Sequence, residues 1–227
     1  IASNGDSFIT GLAYGSIEGY TYSGGNGDLL IMKYNNNGIK QWAKLIGTNS
    51  DDAGYNLNLD SSNNAYITGY SSGNFDGLTN ASNSAQDYIL YKMQSDGTKL
   101  WSKLEGGTYN EAGYAIAFDS SDNVYVTGYF GSASIDGQTN SKSPYTVSFL
   151  AKHNSSGTRL WTKLFDTTST NQWGNRSTVW PHGIAIDNST NIYLAGHTDG
   201  DLDSQTAFGG YDFFLRNHNS SGVQQWT

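Results

Sequence analysis

Apolar and polar positions alternate in short runs along the chain, and clusters of Asn, Asp, Ser and Gly interrupt them. The interruptions recur roughly every eight to twelve residues, a pattern that predicts short β-strands joined by tight turns. One unit can be divided into four such runs, at residues 114–118, 124–129, 147–152 and 158–164. The turns between them are polar, and Asn, Asp and Gly there supply the backbone geometry that hairpins need.

Two sequence markers repeat across the whole chain. The first, Gly followed four residues later by Trp, occurs at 38–42, 97–101, 157–161 and 222–226. The second, an aromatic, an aliphatic and a small residue before Gly, occurs at 8–11, 66–69, 125–128 and 193–196. Because both advance together, they define a structural repeat, and four antiparallel strands in about 60 residues indicate a propeller blade. A helical solenoid is excluded, since the frequent Gly and Asn would break helices of useful length.

The sequence therefore predicts an all-β chain, a β-propeller segment built from four-stranded antiparallel blades. About four blades fit into residues 1–227, with approximate bounds 1–47, 54–106, 113–164 and 183–227. Ile1 aligns with the end of a first strand and Thr227 with the start of a fourth. We therefore expect a fragment of a larger ring or array, in which neighbouring blades or domains of a longer parent chain or assembly are partners.

Particular motifs resemble the bacterial β-propeller repeat known as the SBBP, or seven-bladed β-propeller, repeat. Its pattern matches Asp119 to Asn123, the strand at 124–129, the Asp-Gly at 136–137, and the run from Asp87 through Gly97 to Trp101. The chain departs from this pattern at Val147, where the other repeats have Asp, and at Asn217, where they have Lys. The resemblance implies a secreted or cell-surface bacterial protein, and it supplies no active-site residues.

Composition and charge disfavour several classes of binding partner and of functional site. The 28 Gly, 16 Tyr and 2 Pro suit short strands and turns, while the net charge of −8 disfavours nucleic acid and anionic membrane surfaces. Cys is absent, which excludes disulfides, thiolate metal sites and a Cys nucleophile. Apolar runs stay well below the roughly 20 residues of a membrane span, so we expect no membrane insertion.

In an up-and-down blade the short turns lie at one end, and the long loops after the second marker lie at the other. Long loops on a rigid scaffold commonly carry binding sites. Each of these loops contains an acid after an apolar residue, namely Glu18, Asp76, Asp136 and Asp203. One interpretation is a carboxylate ring that binds Ca²⁺ or a sugar. The other, which we favour, is a loop anchor in which the acid accepts backbone N–H groups, because one carboxylate per loop falls short of what Ca²⁺ requires.

One connection departs from the repeat. Trp161 to Gly183 spans 22 residues, against 12 in the two earlier connections, so ten residues are inserted. The segment contains Trp173, Arg176, Trp180 and His182, which we predict as ligand-binding residues that stack on a sugar ring or a peptide. The alternative is that these rings only cover a wider gap between blades.

Catalytic and metal-binding patterns are weak. The four His residues show no metal-ligand spacing, and nothing pairs a nucleophile with a base. We therefore expect a non-catalytic extracellular or cell-surface module with a structural, adhesive or protein-interaction role and no cofactor, Ca²⁺ included. Its partners would be other extracellular proteins or surface glycans. A lectin-like propeller is the alternative function, and a polysaccharide-acting enzyme is third.

Overall fold

The regular structure is almost entirely β. A computed structural model describes residues 1–82, 85–142, 145–170 and 177–227. Over these ranges the only helical element is a three-residue 3-10 turn at Phe75–Gly77, and none is long and apolar enough to cross a membrane. The predicted all-β class is confirmed. The chain divides into two compact units, Ile1–Gly113 and Tyr114–Thr227, and each is described by itself.

The first unit contains two antiparallel sheets. Its strands are β1 (Ser7–Ala13), β2 (Asp28–Tyr34), β3 (Lys40–Ile46), β4 (Asp52–Leu59), β5 (Ala65–Ser71), β6 (Asp87–Met93) and β7 (Lys99–Glu105). Strands β1-β2-β3 form blade 1 and strands β4-β5-β6-β7 form blade 2, each in sequence order. Blade 1 therefore has three strands, which agrees with the alignment of Ile1 to the end of a first strand.

The second unit contains two further blades. Its strands are β8 (Glu111–Phe118, which begins in the last residues of the first unit), β9 (Val124–Phe130), β10 (Ser134–Ile135), β11 (Gln138–Thr139), β12 (Val147–His153), β13 (Arg159–Phe165), β14 (Val179–Ile186), β15 (Ile192–Thr198), β16 (Asp212–His218) and β17 (Gln224–Trp226). Strands β8-β9-β12-β13 form blade 3 and strands β14-β15-β16-β17 form blade 4, while β10 and β11 make a small hairpin in the long loop of blade 3.

In both units the core lies between one blade and the next. In the first unit Leu29 and Ile31 belong to one buried cluster with Ile67 of β5. Both lie in β2, which corresponds to the third strand of a complete blade. In the second unit Leu150 of β12 shares a cluster with Leu194 of β15. The outward face of the β2 or β12 strand is therefore covered by the strands of the following blade, which explains why its residues are apolar on both faces.

The repeated Trp residues occupy equivalent environments. Each Trp ring meets the marker aromatic of its own blade, in the pairs Phe8–Trp42, Tyr66–Trp101, Tyr125–Trp161 and Tyr193–Trp226, with centroids 5.5–6.2 Å apart. Trp42 also donates Nε1–H to the Ser95 carbonyl in the following blade at 3.3 Å. Trp42, Trp101 and Trp161 are partly buried, with most of each side chain covered, although their strand lies on the outside of the sheet.

The first strands begin earlier than the sequence predicted. Strands β4, β8 and β14 start at Asp52, Glu111 and Val179 rather than at 54, 113 and 183. The difference is largest in blade 4, where Pro181 pairs with Gly196 as Gly54 pairs with Gly69 in blade 2, and His182 is left unpaired in a β-bulge as Tyr55 is. Pro181, not Gly183, is therefore the equivalent of the strand-opening glycine of blade 2, and the insertion is eight residues rather than ten.

Candidate functional site

The four acids of the long loops are each held within their own blade. All have a backbone φ near 50°, an uncommon value for a residue with a side chain. All pair with a basic side chain that belongs to the third or fourth strand of the same blade, in the pairs Glu18–Lys40, Asp76–Lys99, Asp136–Arg159 and Asp203–Arg216. The acids therefore tie the loop to the sheet, which agrees with the loop-anchor interpretation. The partner is a cation rather than the expected backbone N–H.

Hydroxyl groups complete three of these anchors. The residue after the repeated Trp donates to the loop acid in the pairs Ser102–Asp76, Thr162–Asp136 and Thr227–Asp203. The apolar residue before each of these acids is buried, as Phe75, Ile135 and Leu202. Each carboxylate is thus neutralised and hydrogen-bonded, and the four do not present the free oxygens that a Ca²⁺ or sugar site at these positions would need.

Blade 4 obtains its anchor cation from a different strand. Position 224 is Gln, where the other blades have Lys or Arg, and Arg216 of β16 supplies the charge instead. The Arg216 Nε lies 2.9 Å from Asp203 Oδ2, and its Nη2 donates to Gln224 Oε1 at 3.0 Å. The loop acid of blade 4 therefore keeps a cationic partner, although a different strand supplies it.

The inserted segment contributes two of its four predicted residues to a described cluster. Trp173 and Arg176 lie outside the described residues. Trp180 and His182 lie in β14, where the bulge turns the side chain of His182 outward. His182 Nε2 lies 3.2 Å from Nδ1 of His197, a residue that the sequence analysis did not select.

These residues form an aromatic cluster, which we define as Trp180, His182, His197 and Tyr211. The ring of His197 stacks between its neighbours, 4.8 Å from Trp180 and 4.9 Å from His182. Tyr211 meets His197 edge-on at 5.1 Å and is 67% exposed. A shallow cavity of about 440 Å³ adjoins the cluster, lined by His182, Gly183, Ala195, Gly196, His197 and Phe213.

The cluster continues onto blade 3 and has counterparts in the other blades. His182 also stacks on Tyr114 at 5.7 Å, and Tyr114 contacts Tyr129 at 5.5 Å. Tyr114 and Tyr129 are the repeat equivalents of His182 and His197, so the same two positions pair in both blades of this unit. In the first unit Tyr55, the bulge residue of blade 2, meets Tyr70 at 5.6 Å. Sequence reasoning missed these pairs, although an aromatic ring follows the marker Gly in three repeats.

The strands place all these rings at the end of the blade that carries the long loops. The bulge residue lies near the start of the first strand and its partner lies near the end of the second, which is where the long loop begins. Burial, together with the electrostatic interaction with His182, lowers the pKa of His197. Stacked rings with an exposed Tyr offer flat surfaces for contact with a ligand.

The described residues contain no group of three or more His, Asp or Glu side chains that could hold a metal ion. His182 and His197 contact each other and neighbouring rings. The cluster can therefore stack and hydrogen-bond, and it offers no ready nucleophile for covalent chemistry.

Comparison with known proteins identifies the repeat. The family model described as SBBP, Beta-propeller repeat, matches residues 41–76, 100–129 and 161–203. Three segments of the chain therefore match the SBBP β-propeller repeat, and the resemblance noted in the sequence is confirmed. No curated protein matches the chain.

Proposed function

We propose that this chain is a non-catalytic, extracellular or cell-surface β-propeller module with an adhesive or protein-interaction role. Its ligand contacts the aromatic cluster at the long-loop end of blade 4. The observation that supports the proposal is the group of rings there, with Tyr211 and His182 exposed and Trp180 partly exposed beside Tyr211, on a scaffold whose loop acids are already paired. Aromatic side chains give large contact areas at low entropic cost, which is why binding surfaces are rich in them.

The polar groups of the short-turn end support a structural role for that end. Asp60 Oδ1 accepts backbone N–H groups from Ser62 and Asn64, and its Oδ2 lies 3.2 Å from Lys92 Nζ. The same turn recurs at Asp119 and Asp187. Because these carboxylates are used inside the fold, the long-loop end is the better candidate surface for a partner.

The test is a selection of peptide ligands against the immobilised chain, followed by affinity measurements with variants. Trp180→Ala and Tyr211→Ala should each weaken binding of a selected peptide about tenfold, since an aromatic contact at an interface is worth about 1–2 kcal/mol. Tyr14→Ala removes an exposed ring elsewhere and is the matched control. Equal affinity in all three variants, with circular dichroism showing an intact fold, would reject the site.

A lectin-like role is the second candidate function, and the Trp180 ring with its neighbour Tyr211 at 5.9 Å is the observation that favours it. Rings in this arrangement stack on the apolar face of a sugar. A glycan array separates the two candidates, because a carbohydrate-binding module would retain specific glycans and lose them in Trp180→Ala. Release of reducing ends from polysaccharide would instead support the third candidate, an enzyme.

A further inference from the structure

Two acids that begin a third strand are buried without a complete set of partners. Asp28 starts β2 and Asp87 starts β6, and both side chains are almost fully buried. In each, Oδ2 accepts a loop N–H, from Ser23 at 2.7 Å and from Ala81 at 2.8 Å. In each, Oδ1 is buried and has no hydrogen-bond partner. A buried carboxylate oxygen without a partner is costly, so it needs an explanation.

A second buried acid lies beside Asp28. The Asp52 backbone N–H donates to the Gly27 carbonyl at 2.8 Å, and this bond places Asp52 next to Asp28. Its Oδ2 accepts the backbone N–H of Thr48 at 2.6 Å, and the Ser71 hydroxyl hydrogen-bonds to the same carboxylate. Burial and the charge of Asp28 raise the pKa of Asp52.

Blade 2 repeats the arrangement with Glu in place of the second Asp. The Glu111 backbone N–H donates to the Gln86 carbonyl at 2.6 Å, and Glu111 Oε2 accepts the Gly107 N–H at 2.9 Å. A β-carbon built onto Gly106 would lie 2.2 Å from Asp87 Oδ1 and 2.6 Å from Glu111 Oε2. Oxygen atoms from both acids therefore converge on one small space.

At the equivalent junction of the second unit, both acids are absent together. In the second unit Val147 stands at the Asp28 position and Val179 at the Asp52 position, so both acids are replaced together. Both Val side chains are buried. Asp166 stands where the other blades have Gly47 and Gly106, and Lys142 neutralises it at 2.6 Å. The chain thus has either a pair of acids or a pair of apolar residues at this junction.

Two adjacent buried carboxylates need a positive charge or a proton between them, because their mutual repulsion and desolvation both oppose folding. The contacts described for Asp28, Asp52 and Asp87 are with N–H and hydroxyl groups. These donors orient one oxygen of each acid and leave Oδ1 of Asp28 and of Asp87 without a donor, close to Gly47 and Gly106 respectively. Such oxygens are the ligands that hard divalent cations prefer.

We propose that the Asp28–Asp52 pair and the Asp87–Glu111 pair each bind a divalent cation, with Ca²⁺ as the preferred ion. Ca²⁺ accepts irregular sets of carboxylate, carbonyl and water oxygens, whereas Mg²⁺ demands near-octahedral geometry. With two carboxylates per site, the dissociation constant falls at the weak end for protein sites, about 10⁻⁴ M, typical of extracellular modules. This inference replaces the expectation of no metal, which rested on the loop acids, and it is independent of the proposed function.

Isothermal titration calorimetry on the chelator-treated chain at pH 7 tests the proposal directly. We expect two equivalents of Ca²⁺ per chain, weaker binding of Mg²⁺, and a midpoint of thermal unfolding that rises by about 5 °C at saturating Ca²⁺. The variant Asp28→Asn/Asp87→Asn should lose both responses. Asp96→Asn/Asp122→Asn makes the same change in net charge outside the two pairs and should keep them.

A second variant replaces the two acids by the apolar residues found at the equivalent positions of the second unit. Asp28→Val/Asp52→Val copies Val147 and Val179, so it should fold and bind one equivalent of Ca²⁺ instead of two. An unchanged stoichiometry would overturn the site. A wild-type chain whose stability does not change with Ca²⁺ would also overturn it. If such a chain also gains stability relative to Asp28→Val/Asp52→Val as the pH falls from 7 to 5, the two carboxyl groups share a proton instead.

Discussion

The glycine of the second marker is required for steric reasons in some blades and not in others. A β-carbon on Gly69 would lie 1.9 Å from the Ala53 carbonyl oxygen, and one on Gly196 would lie 1.9 Å from that of Trp180. The first strand approaches the second so closely at the bulge that only Gly fits. Gly11 in blade 1 has no atom within 4 Å of that position, because no first strand pairs with β1.

Gly69→Ala should therefore destabilise the chain by about 2–3 kcal/mol, since the added methyl displaces backbone. Gly11→Ala at the equivalent position of blade 1 should change stability by less than about 1 kcal/mol. Urea unfolding monitored by Trp fluorescence measures both. Similar losses in the two variants would show that the marker Gly serves something other than this close approach.

A single buried residue, His218, makes the stability of the chain depend on pH. Burial, with the nearby Arg216 charge, lowers the pKa of His218 to about 4, although its hydrogen bond with the Gly222 carbonyl opposes the shift. In the unfolded chain the pKa is near 6.5, so the unfolded state binds more protons between pH 4 and 6.5. The contribution of His218 to stability therefore falls as the pH is lowered through this window, by up to about 3 kcal/mol.

His218→Met, which copies Met93 at the equivalent position of blade 2, should remove this part of the pH dependence. The measurement is the free energy of unfolding of both proteins between pH 4 and 7. The difference between wild type and variant should change steadily with pH in favour of the variant on acidification. A constant difference would mean that His218 is charged equally in both states.

At the scale of the strand pair, the sequence predicted regular features and missed irregular ones. The markers and polar turns specify the blades, because alternation and turn chemistry are local properties. In blade 4 Pro181 replaces the strand-opening glycine, and Gly183 lies two residues later, so the strand start and the insertion length were misjudged. The acid pair of Asp28 and Asp52 was missed because its members start different strands, although the replacement of the equivalent Asp by Val147 was visible in the sequence.

In blade 4 the cation that pairs with the loop acid comes from the third strand instead of the fourth, and this difference can be tested by mutation. Arg216 is buried and pairs with Asp203, while blade 2 uses Lys99 at the position of Gln224 and has Tyr91 at the position of Arg216. Arg216→Tyr should cost about 3 kcal/mol, because it leaves a partly buried carboxylate without its cation.

Arg216→Tyr/Gln224→Lys should recover much of that loss, because the new Lys reproduces the Lys99 arrangement. Gln224→Lys alone places a second cation beside Arg216 and should be neutral or slightly destabilising. Chemical unfolding of the four proteins completes a double-mutant cycle, and additive effects would show that the two positions do not share the anchor.

At the scale of the whole molecule, two blade faces are exposed where their repeat equivalents are covered. Phe213 and Leu215 of blade 4 are 77% and 43% exposed, whereas Leu29 and Ile31 at the same positions of blade 1 are fully buried under blade 2. Ile9 of blade 1 is 51% exposed, whereas its equivalent Ile67 in blade 2 is fully buried.

We expect these faces to bind each other between two copies of the chain, head to tail, because they are the two halves of the contact that joins successive blades within each unit. Such a heterologous contact leaves one face of each kind free, so association continues with rising concentration. Sedimentation velocity should show wild-type mass increasing with concentration in the micromolar range, as expected for an apolar contact of modest area.

Phe213→Asp and Ile9→Asp each destroy one face at an exposed position, so both variants should stay folded and remain monomeric at all concentrations. An equimolar mixture of the two retains one intact face of each kind and should form a dimer that grows no further. Leu160→Asp, at an apolar position on an outer strand that is also exposed, serves as the control and should associate as wild type does. Monomeric wild type, or a mixture that stays monomeric, would show that the two faces do not recognise each other.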